Sequence, residues 1–147
     1  MDGERPVVLV VDDEEDVVVL CRVNLEFEGY EVIEAGNGED AIAKVREHRP
    51  DVVLLDVMLP RLDGWQVLAA IKADPELHDT PVVLLTARMQ DDDQIRGWSA
   101  GAADYITKPY SPLTLSQVLQ DVLATTPEEE ERRRLMILEK LELLRDA

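Results

Sequence analysis

The sequence predicts an α/β fold in which a parallel β-sheet is covered by helices on both faces. Short apolar runs alternate with segments of helical periodicity five times along the chain. Three of the runs, at 7–11, 52–55 and 82–85, are apolar throughout and have no outward polar face. Such strands are typical of parallel sheets, because right-handed crossovers place helices on both sides of the sheet.

The predicted elements follow one another with little chain between them. The strands are expected at 7–11, 30–35, 52–55, 82–85 and 105–107. A first helix over 15–28 carries the apolar residues Val18, Leu20, Val23, Leu25 and Phe27. A second helix opens at 37–40 and ends before Pro50, and further helices are predicted over 62–73 and 91–100. Ser111 and Pro112 begin a fifth helix, because Ser is favoured at the N-cap and Pro at the first helical position.

Composition limits the classes of function. The 147 residues suit a single domain, and 32 acidic against 15 basic side chains give a formal charge of -17. This acidity argues against direct binding to nucleic acid or to an anionic membrane, because both would repel the protein. The single cysteine, Cys21, excludes an internal disulfide and a multi-cysteine metal site. Without a signal-peptide pattern or a bilayer-spanning apolar run, we expect a cytoplasmic protein.

Polar side chains follow the predicted strands at the points where the strands end. Asp12 and Asp13 follow the first strand, Asp56 the third and Thr86 the fourth, and Lys108 comes just after the fifth. In an open parallel sheet these ends share one edge, where ligands bind. Three converging carboxylates require a cation, and oxygen ligands without His or Cys favour Mg²⁺ or Mn²⁺. Each residue alone also fits a helix cap or a surface charge, whereas the conjunction favours an aspartate nucleophile beside a metal.

Five short motifs, in order along residues 6–124, resemble the receiver domains of two-component response regulators. They are Val10-Val11-Asp12-Asp13-Glu14, Leu54-Leu55-Asp56-Val57-Met58-Leu59-Pro60, Asp63-Gly64, Leu85-Thr86-Ala87 and Asp104-Tyr105-Ile106-Thr107-Lys108-Pro109. The resemblance implies a flavodoxin-like (βα)5 fold, a doubly wound parallel sheet with strand order 2-1-3-4-5. It also implies a response regulator that accepts a phosphoryl group in a magnesium-dependent reaction. Beyond forming and losing its own aspartyl phosphate, such a protein is not an enzyme.

The resemblance assigns chemical roles to six positions. Asp56 is expected to be the phosphoacceptor and Asp12 and Asp13 the acidic metal pair. The backbone carbonyl of Met58 would be a further metal ligand, beside Asp56 itself. Lys108 would sense the phosphoryl group, together with Thr86.

Further positions concern switching and the lifetime of the phosphoryl group. Thr86 and Tyr105 are expected to form a switch that changes a face made of the fourth helix, fifth strand and fifth helix. The peptide bond between Lys108 and Pro109 is similar to one that is cis in the family. Met58 and Arg88 stand where the family tunes hydrolysis, and neither suits the orienting of an attacking water. We therefore expect a long phosphoryl lifetime.

A C-terminal extension is predicted to follow the receiver domain. Residues 1–126 form the domain, and residues 127–147 form an additional amphipathic helix that acts as a linker or a dimerisation element. Thr126 is the predicted N-cap, followed by Pro127 and by Glu129, which completes a capping box. The predicted apolar stripe consists of Leu135, Leu138 and Leu141, with Ile137 and Leu144 as further candidates.

The sequence leaves open three arrangements of this helix and several partners. An isolated helix of about 20 residues is marginal in water, so it docks on its own domain, pairs with a second copy or leads into an output domain. The expected upstream partner is a sensor histidine kinase or a phosphotransfer protein. A homodimer through the switching face or the C-terminal helix is a further expectation. Direct contact with nucleic acid or a membrane is not expected.

One alternative class is an aspartate-nucleophile phosphatase. Such enzymes place a second acid two residues after the nucleophile, where this chain has Met58. Another alternative is a receiver-like module that is never phosphorylated, which the complete set of acidic, Thr and Lys residues disfavours.

Overall fold

The computed structural model describes residues 5–87 and 91–146. The strands are β1 (Val7–Val11), β2 (Glu31–Ala35), β3 (Val52–Asp56), β4 (Val82–Thr86) and β5 (Asp104–Thr107). The helices are α1 (Glu15–Phe27), α2 (Gly38–His48), α3 (Gly64–Ala73), α4 (Asp91–Ala100), α5 (Pro112–Leu123) and α6 (Pro127–Asp146). In the described part of the chain, no helix has both the length and the apolar composition needed to cross a membrane.

The strands form one sheet in the order β2-β1-β3-β4-β5, and all neighbours run parallel. This order and the helices around it confirm the predicted flavodoxin-like fold. Strands β1 and β3 are neighbours at the centre, with Val11 opposite Leu55. The residues that follow these two strands are consequently adjacent at the carboxyl edge of the sheet.

A hydrophobic core lies on each face of the sheet, and successive strand residues contribute to opposite cores. Leu9 and Val11 pack in the core formed with α2 and α3, whereas Val8 and Val10 pack in the core formed with α1 and α5. Every residue of β3 and β4 is buried. Burial on both faces explains why these runs are apolar throughout, since neither side of the strand meets water.

Side-chain caps fix where several helices begin. Ser111 accepts a hydrogen bond from the backbone N–H of Thr114, which confirms the predicted start of α5. Helix α3 begins at Gly64, two residues later than predicted, because Asp63 and Gln66 form a reciprocal capping box with both distances at 3.0 Å.

Helix α1 is apolar on more than one face, and the structure buries only one of them. Val18, Cys21 and Leu25 are buried. Leu20 and Phe27, which the sequence reading grouped with the apolar positions, are 64% and 92% exposed. The outward face of α1 is therefore an apolar surface, not a core-facing stripe.

The predicted C-terminal helix is present as α6, and it packs against α4. Its capping box is confirmed, because Thr126 and Glu129 exchange backbone-to-side-chain hydrogen bonds of 3.0 and 3.1 Å. The predicted stripe is partly wrong, since Leu135 and Leu144 are 56% and 66% exposed. The covered face also includes charged side chains, which apolar periodicity alone does not detect.

Candidate functional site

Three carboxylates meet at the carboxyl edge of the sheet. Asp12 and Asp13 follow β1, and Asp56 is the last residue of β3. Oxygen atoms of the three side chains lie within 4.8 Å of one another. Asp12 and Asp56 are 1% and 4% exposed, whereas Asp13 is exposed. The structure thus brings together the three residues that the sequence placed at one edge.

Local turns hold the two buried carboxylates. Asp12 accepts a hydrogen bond of 2.9 Å from the backbone N–H of Glu14. Asp56 accepts one of the same length from the backbone N–H of Met58. In each case one carboxylate oxygen accepts a hydrogen bond from the backbone two residues later. This bond fixes the orientation of the side chain at the end of its strand.

Lys108 reaches into this cluster from the segment after β5. Its Nζ donates to Asp12 Oδ2 at 2.9 Å and to Asp56 Oδ2 at 3.2 Å, with Glu14 Oε1 at 3.9 Å. Burial alone would lower the pKa of Lys108, but its hydrogen bonds and charge interactions with Asp12 and Asp56 raise that pKa overall. The ammonium is thus held firmly in its charged form between two carboxylates.

The electrostatics of Asp56 reflect its burial. Burial raises the pKa of the Asp56 carboxyl, and the nearby charge of Asp12 raises it further. The hydrogen bond from Met58 and the charge of Lys108 act in the opposite direction. The pKa of Asp56 is therefore raised overall, because burial outweighs the hydrogen bond from Met58 and the charge of Lys108.

Lys108 is positioned by a short backbone link between strands. Its backbone N–H donates to the carbonyl of Thr86 at 2.7 Å. The peptide bond between Lys108 and Pro109 is cis. The hydrogen bond to Thr86 at the end of β4 thereby places Lys108 beside the carboxylates.

The start of α3 packs tightly against the end of β3. A Cβ at Gly64 would lie 2.5 Å from the carbonyl oxygen of Asp56 and 2.6 Å from Val57 Cα. Only glycine permits this approach. Met58, between these segments, has a side chain that is 75% exposed. The role of its carbonyl as a metal ligand stays a prediction.

The predicted switch residues lie on neighbouring strands. Thr86, at the end of β4, is 6% exposed, and Tyr105 on β5 is half-buried. The ring of Tyr105 meets that of Trp98 edge to face, with centroids 6.2 Å apart and planes at 72°. The predicted tuning residue Arg88 lies outside the described residues.

These features agree with what comparison of the whole chain shows. A family model described as the response regulator receiver domain matches residues 8–120. The chain belongs to this family.

Named relatives and solved structures show how far the likeness extends. The alkaline phosphatase synthesis transcriptional regulatory protein PhoP of Bacillus subtilis is 42% identical over 116 residues, which are 79% of this chain and 48% of PhoP. The phosphate regulon transcriptional regulatory protein PhoB of Pseudomonas aeruginosa is 42% identical over 119 residues, 81% of this chain and 52% of PhoB. The chain spans about half the length of these relatives.

Among solved structures, the chemotaxis protein CheY4 of Vibrio cholerae superposes with a TM-score of 0.78 at 32% identity. The superposition covers 81% of this chain and 99% of CheY4. The family match ends at residue 120, so α6, which begins at Pro127, is an addition to the shared receiver domain.

The acidic edge of this receiver domain fits a divalent cation. Three carboxylates face one lysine, so the cluster carries excess negative charge, and two of its members are buried. Its donors are hard oxygens, which suit Mg²⁺ or Mn²⁺.

Sequence reasoning missed a groove beside the receiver site. It measures about 470 Å³ and lies between α1 and the segment after β5, with Val17, Leu20 and Pro109 among its lining residues. At its floor, Cys21 Sγ and Tyr110 Oη form a hydrogen bond of 2.8 Å. Burial is the main cause that raises the pKa of Tyr110, and the hydrogen bond with Cys21 raises it further. No sequence signal pairs two residues that lie 89 positions apart.

Proposed function

We propose that Asp56 accepts a phosphoryl group from a phosphohistidine of a sensor kinase or phosphotransfer protein. The observation that carries this proposal is the buried Asp56 carboxylate, which clusters with Asp12 and Asp13 and bonds Lys108. A carboxylate oxygen of Asp56 attacks phosphorus and forms an O–P bond as the N–P bond breaks. The electron pair of the N–P bond stays on the imidazole, which takes up a proton from water.

A divalent cation would be held by Asp12, Asp13 and Asp56, with the Met58 carbonyl as a further ligand. When bound, Mg²⁺ or Mn²⁺ supplies the positive charge that lets the carboxylates and the phosphoryl oxygens approach one another. Lys108 contributes from the protein side, because its mobile ammonium already lies 3.2 Å from Asp56 Oδ2. From there it can neutralise a phosphoryl oxygen.

The donor must approach Asp56 from the carboxyl edge, next to an exposed apolar surface. Leu20 and Val23 on α1 are 64% and 57% exposed, and Leu20 also lines the groove beside Lys108. Large apolar side chains exposed next to a reactive edge favour a partner that covers them. The helical body of a histidine-containing donor fits this requirement.

Phosphorylation is proposed to be read through Thr86 and Tyr105. A phosphoryl group adds negative charge and acceptor oxygens at Asp56. Thr86, which is buried at the neighbouring strand end, would turn to donate to one oxygen, and Tyr105 would rotate into the space beside it. The face formed by α4, β5 and α5 then presents a different surface to partners.

The lifetime of the phosphoryl group is proposed to be long for this family. Hydrolysis needs a side chain that orients an attacking water, and neither Met58 nor Arg88 carries a carboxylate or amide for that task. The exposed thioether of Met58 is moreover a poor hydrogen-bond partner for water. Decay of the phosphorylated protein in Mg²⁺ within seconds would contradict this proposal.

The cellular role rests on the proposed site and on the relatives. PhoP and PhoB are named as transcriptional regulatory proteins and are about twice as long as the matched region. We therefore propose a cytoplasmic signalling role in which this receiver domain controls a partner or an output domain. The chain's own charge of -17 favours control through protein contacts over direct contact with nucleic acid.

Mass spectrometry after incubation with acetyl phosphate and Mg²⁺ tests the proposal. We expect a phosphoryl adduct that maps to Asp56, and we expect Asp56→Asn to abolish it. Asp16→Asn is the matched control, because Asp16 is an exposed aspartate in the first turn of α1. An adduct that persists in Asp56→Asn would overturn the assignment of the phosphoacceptor.

A further inference from the structure

Helix α6 lies on α4 through one continuous face. Its half-buried residues recur at helical spacing, so they share a side of the helix that is covered by the domain. They are Glu130, Arg134, Ile137, Leu138 and Leu141. Residues between them, such as Leu135 and Leu143, are 56% and 66% exposed. The contact with α4 is therefore selective for one face of α6.

An ion pair, and not apolar burial alone, joins α6 to the domain. Arg133 Nη2 lies 3.5 Å from Asp104 Oδ2 at the start of β5, whereas Arg134 Nη1 and Glu130 Oε2 pair within α6, also at 3.5 Å. A cleft of about 490 Å³ remains between the first turns of α6 and the domain, with Lys72 among its lining residues. Polar interfaces within a chain resemble transient protein–protein contacts more than permanent ones.

Helix α4 also contacts two segments near the acidic edge, namely β5 and the start of α3. Trp98 of α4 packs its ring edge to face against Tyr105, the proposed switch residue. The Arg96 guanidinium lies 4.3 Å from the ring centroid of Trp65, and Trp65 directly follows Gly64. Since Gly64 packs against the backbone of Asp56, α4 is linked to the phosphoacceptor through Trp65 and to β5 through Trp98.

We infer that α6 is an intramolecular ligand of α4 whose docking is coupled to the phosphoryl state of Asp56. This inference rests on the function proposed above. When Tyr105 turns inward, it leaves the ring edge of Trp98 and shifts the start of β5, where Asp104 holds Arg133. Docking of α6 then weakens, and its covered face becomes available to a partner. By linkage, docked α6 must oppose phosphorylation by the same factor.

Hydrogen exchange of the full chain, followed by mass spectrometry, tests the coupling. With beryllofluoride and Mg²⁺ as phosphoryl mimic, we expect amides of α6 to exchange at least about tenfold faster, within the usual range of coupling factors. Amides of α2, on a different part of the sheet, serve as the internal control. Unchanged or slower exchange in α6 overturns the inference.

The reciprocal effect is tested with paired variants of α6. Leu138→Ala and Arg133→Ala remove groups at the interface, whereas Leu135→Ala and Arg132→Ala change exposed neighbours of the same type. We expect the interface variants to lower the beryllofluoride concentration for half-saturation at least about threefold, and the controls to leave it unchanged. Equal midpoints for interface and control variants overturn the inference.

The phosphoryl adduct on Asp56 separates the two proposals. If Asp56 is modified and α6 exchange stays constant, phosphoacceptance stands and only the role of α6 fails. If Asp56 is not modified by acetyl phosphate, both proposals fail together.

Discussion

Lys108 and Lys72 are both partly buried lysines near carboxylates, yet their environments shift their pKa values in opposite directions. Lys108 donates to two buried carboxylates, and its pKa is raised although burial opposes this. Lys72 donates to the backbone carbonyls of His78 and Thr80, both at 2.8 Å, and burial lowers its pKa. Lys108 neutralises part of an excess of negative charge, whereas Lys72 satisfies two backbone carbonyls of the fold.

This difference separates a reactive cluster from a structural one. At the carboxyl edge, three carboxylates outnumber a single lysine, so positive charge from outside the chain is still favoured there. Near α6, the single carboxylate of Glu130 faces two cations, Lys72 and Arg134, and burial is the main cause that raises its pKa. The presence of a lysine beside an acid therefore does not identify a site; the unbalanced charge does.

The largest expected effect is the loss of phosphorylation in Lys108→Met. Removing the ammonium takes away a charge that would stabilise the transferring phosphoryl group, which typically costs about 100- to 1,000-fold in rate, or roughly 2.7–4 kcal/mol. The rate of Asp56 modification by acetyl phosphate measures it. Lys72→Met is the matched control and should not lower that rate. A similar loss in both variants would erase the distinction between the two lysines.

The second expected effect is stabilisation of the fold by Mg²⁺ through the acidic edge. A ligand that binds only the folded state at 100 times its Kd adds about 2.7 kcal/mol to the free energy of unfolding. Asp13→Asn should remove most of this gain, and because Asp13 is exposed the variant should fold. Urea unfolding with and without Mg²⁺ is the measurement. In Asp16→Asn the gain should be retained in full.

The third effect concerns the structural lysine. Lys72→Met keeps the length of the side chain but leaves the carbonyls of His78 and Thr80 without their donor, which costs about 1–2 kcal/mol of stability. Urea unfolding in the absence of Mg²⁺ measures the change. The exposed residue Lys140 provides the control, since Lys140→Met should unfold at the same urea concentration as the unchanged protein.

The contrast between clusters also shows what a sequence can predict. The strands were predictable because both faces of β3 and β4 are buried, and this leaves uninterrupted apolar runs. The acidic edge was predictable because parallel strands bring their carboxyl ends together, whatever the details of packing. The structure therefore brings Lys108 into contact with Asp12 and Asp56, as the sequence predicted.

The remaining features depend on packing between distant segments. Helix α1 is apolar on several sides, so periodicity could not show that Cys21 would be buried and Leu20 exposed. On α6, the covered face combines Glu130 and Arg134 with leucines, and a search for apolar stripes misplaces it by including Leu135. A helix face that mixes charged and apolar residues is recognised only when the structure shows which groups its charged side chains contact.

The smallest expected effect is a pH-dependent gain of stability in Glu130→Gln. Burial raises the pKa of the Glu130 carboxyl from 4.5, although Lys72 and Arg134 act to lower it. A carboxyl with a raised pKa stabilises the fold below the pKa of its unfolded form, about pH 4.5, and this contribution is lost as the pH rises through the raised value. At neutral pH the ionised group is therefore a net cost that Gln avoids.

Because Glu130 is only partly buried, the gain at pH 7 should stay below about 1 kcal/mol, and it should vanish near pH 4. Urea unfolding at both pH values measures it, with Glu131→Gln as the exposed control. A loss of stability at pH 7 would mean that attraction to Lys72 and Arg134 outweighs burial. The balance around α6 would then differ from that at the acidic edge, where burial and the charge of Asp12 outweigh the attraction of Lys108 and raise the pKa of Asp56.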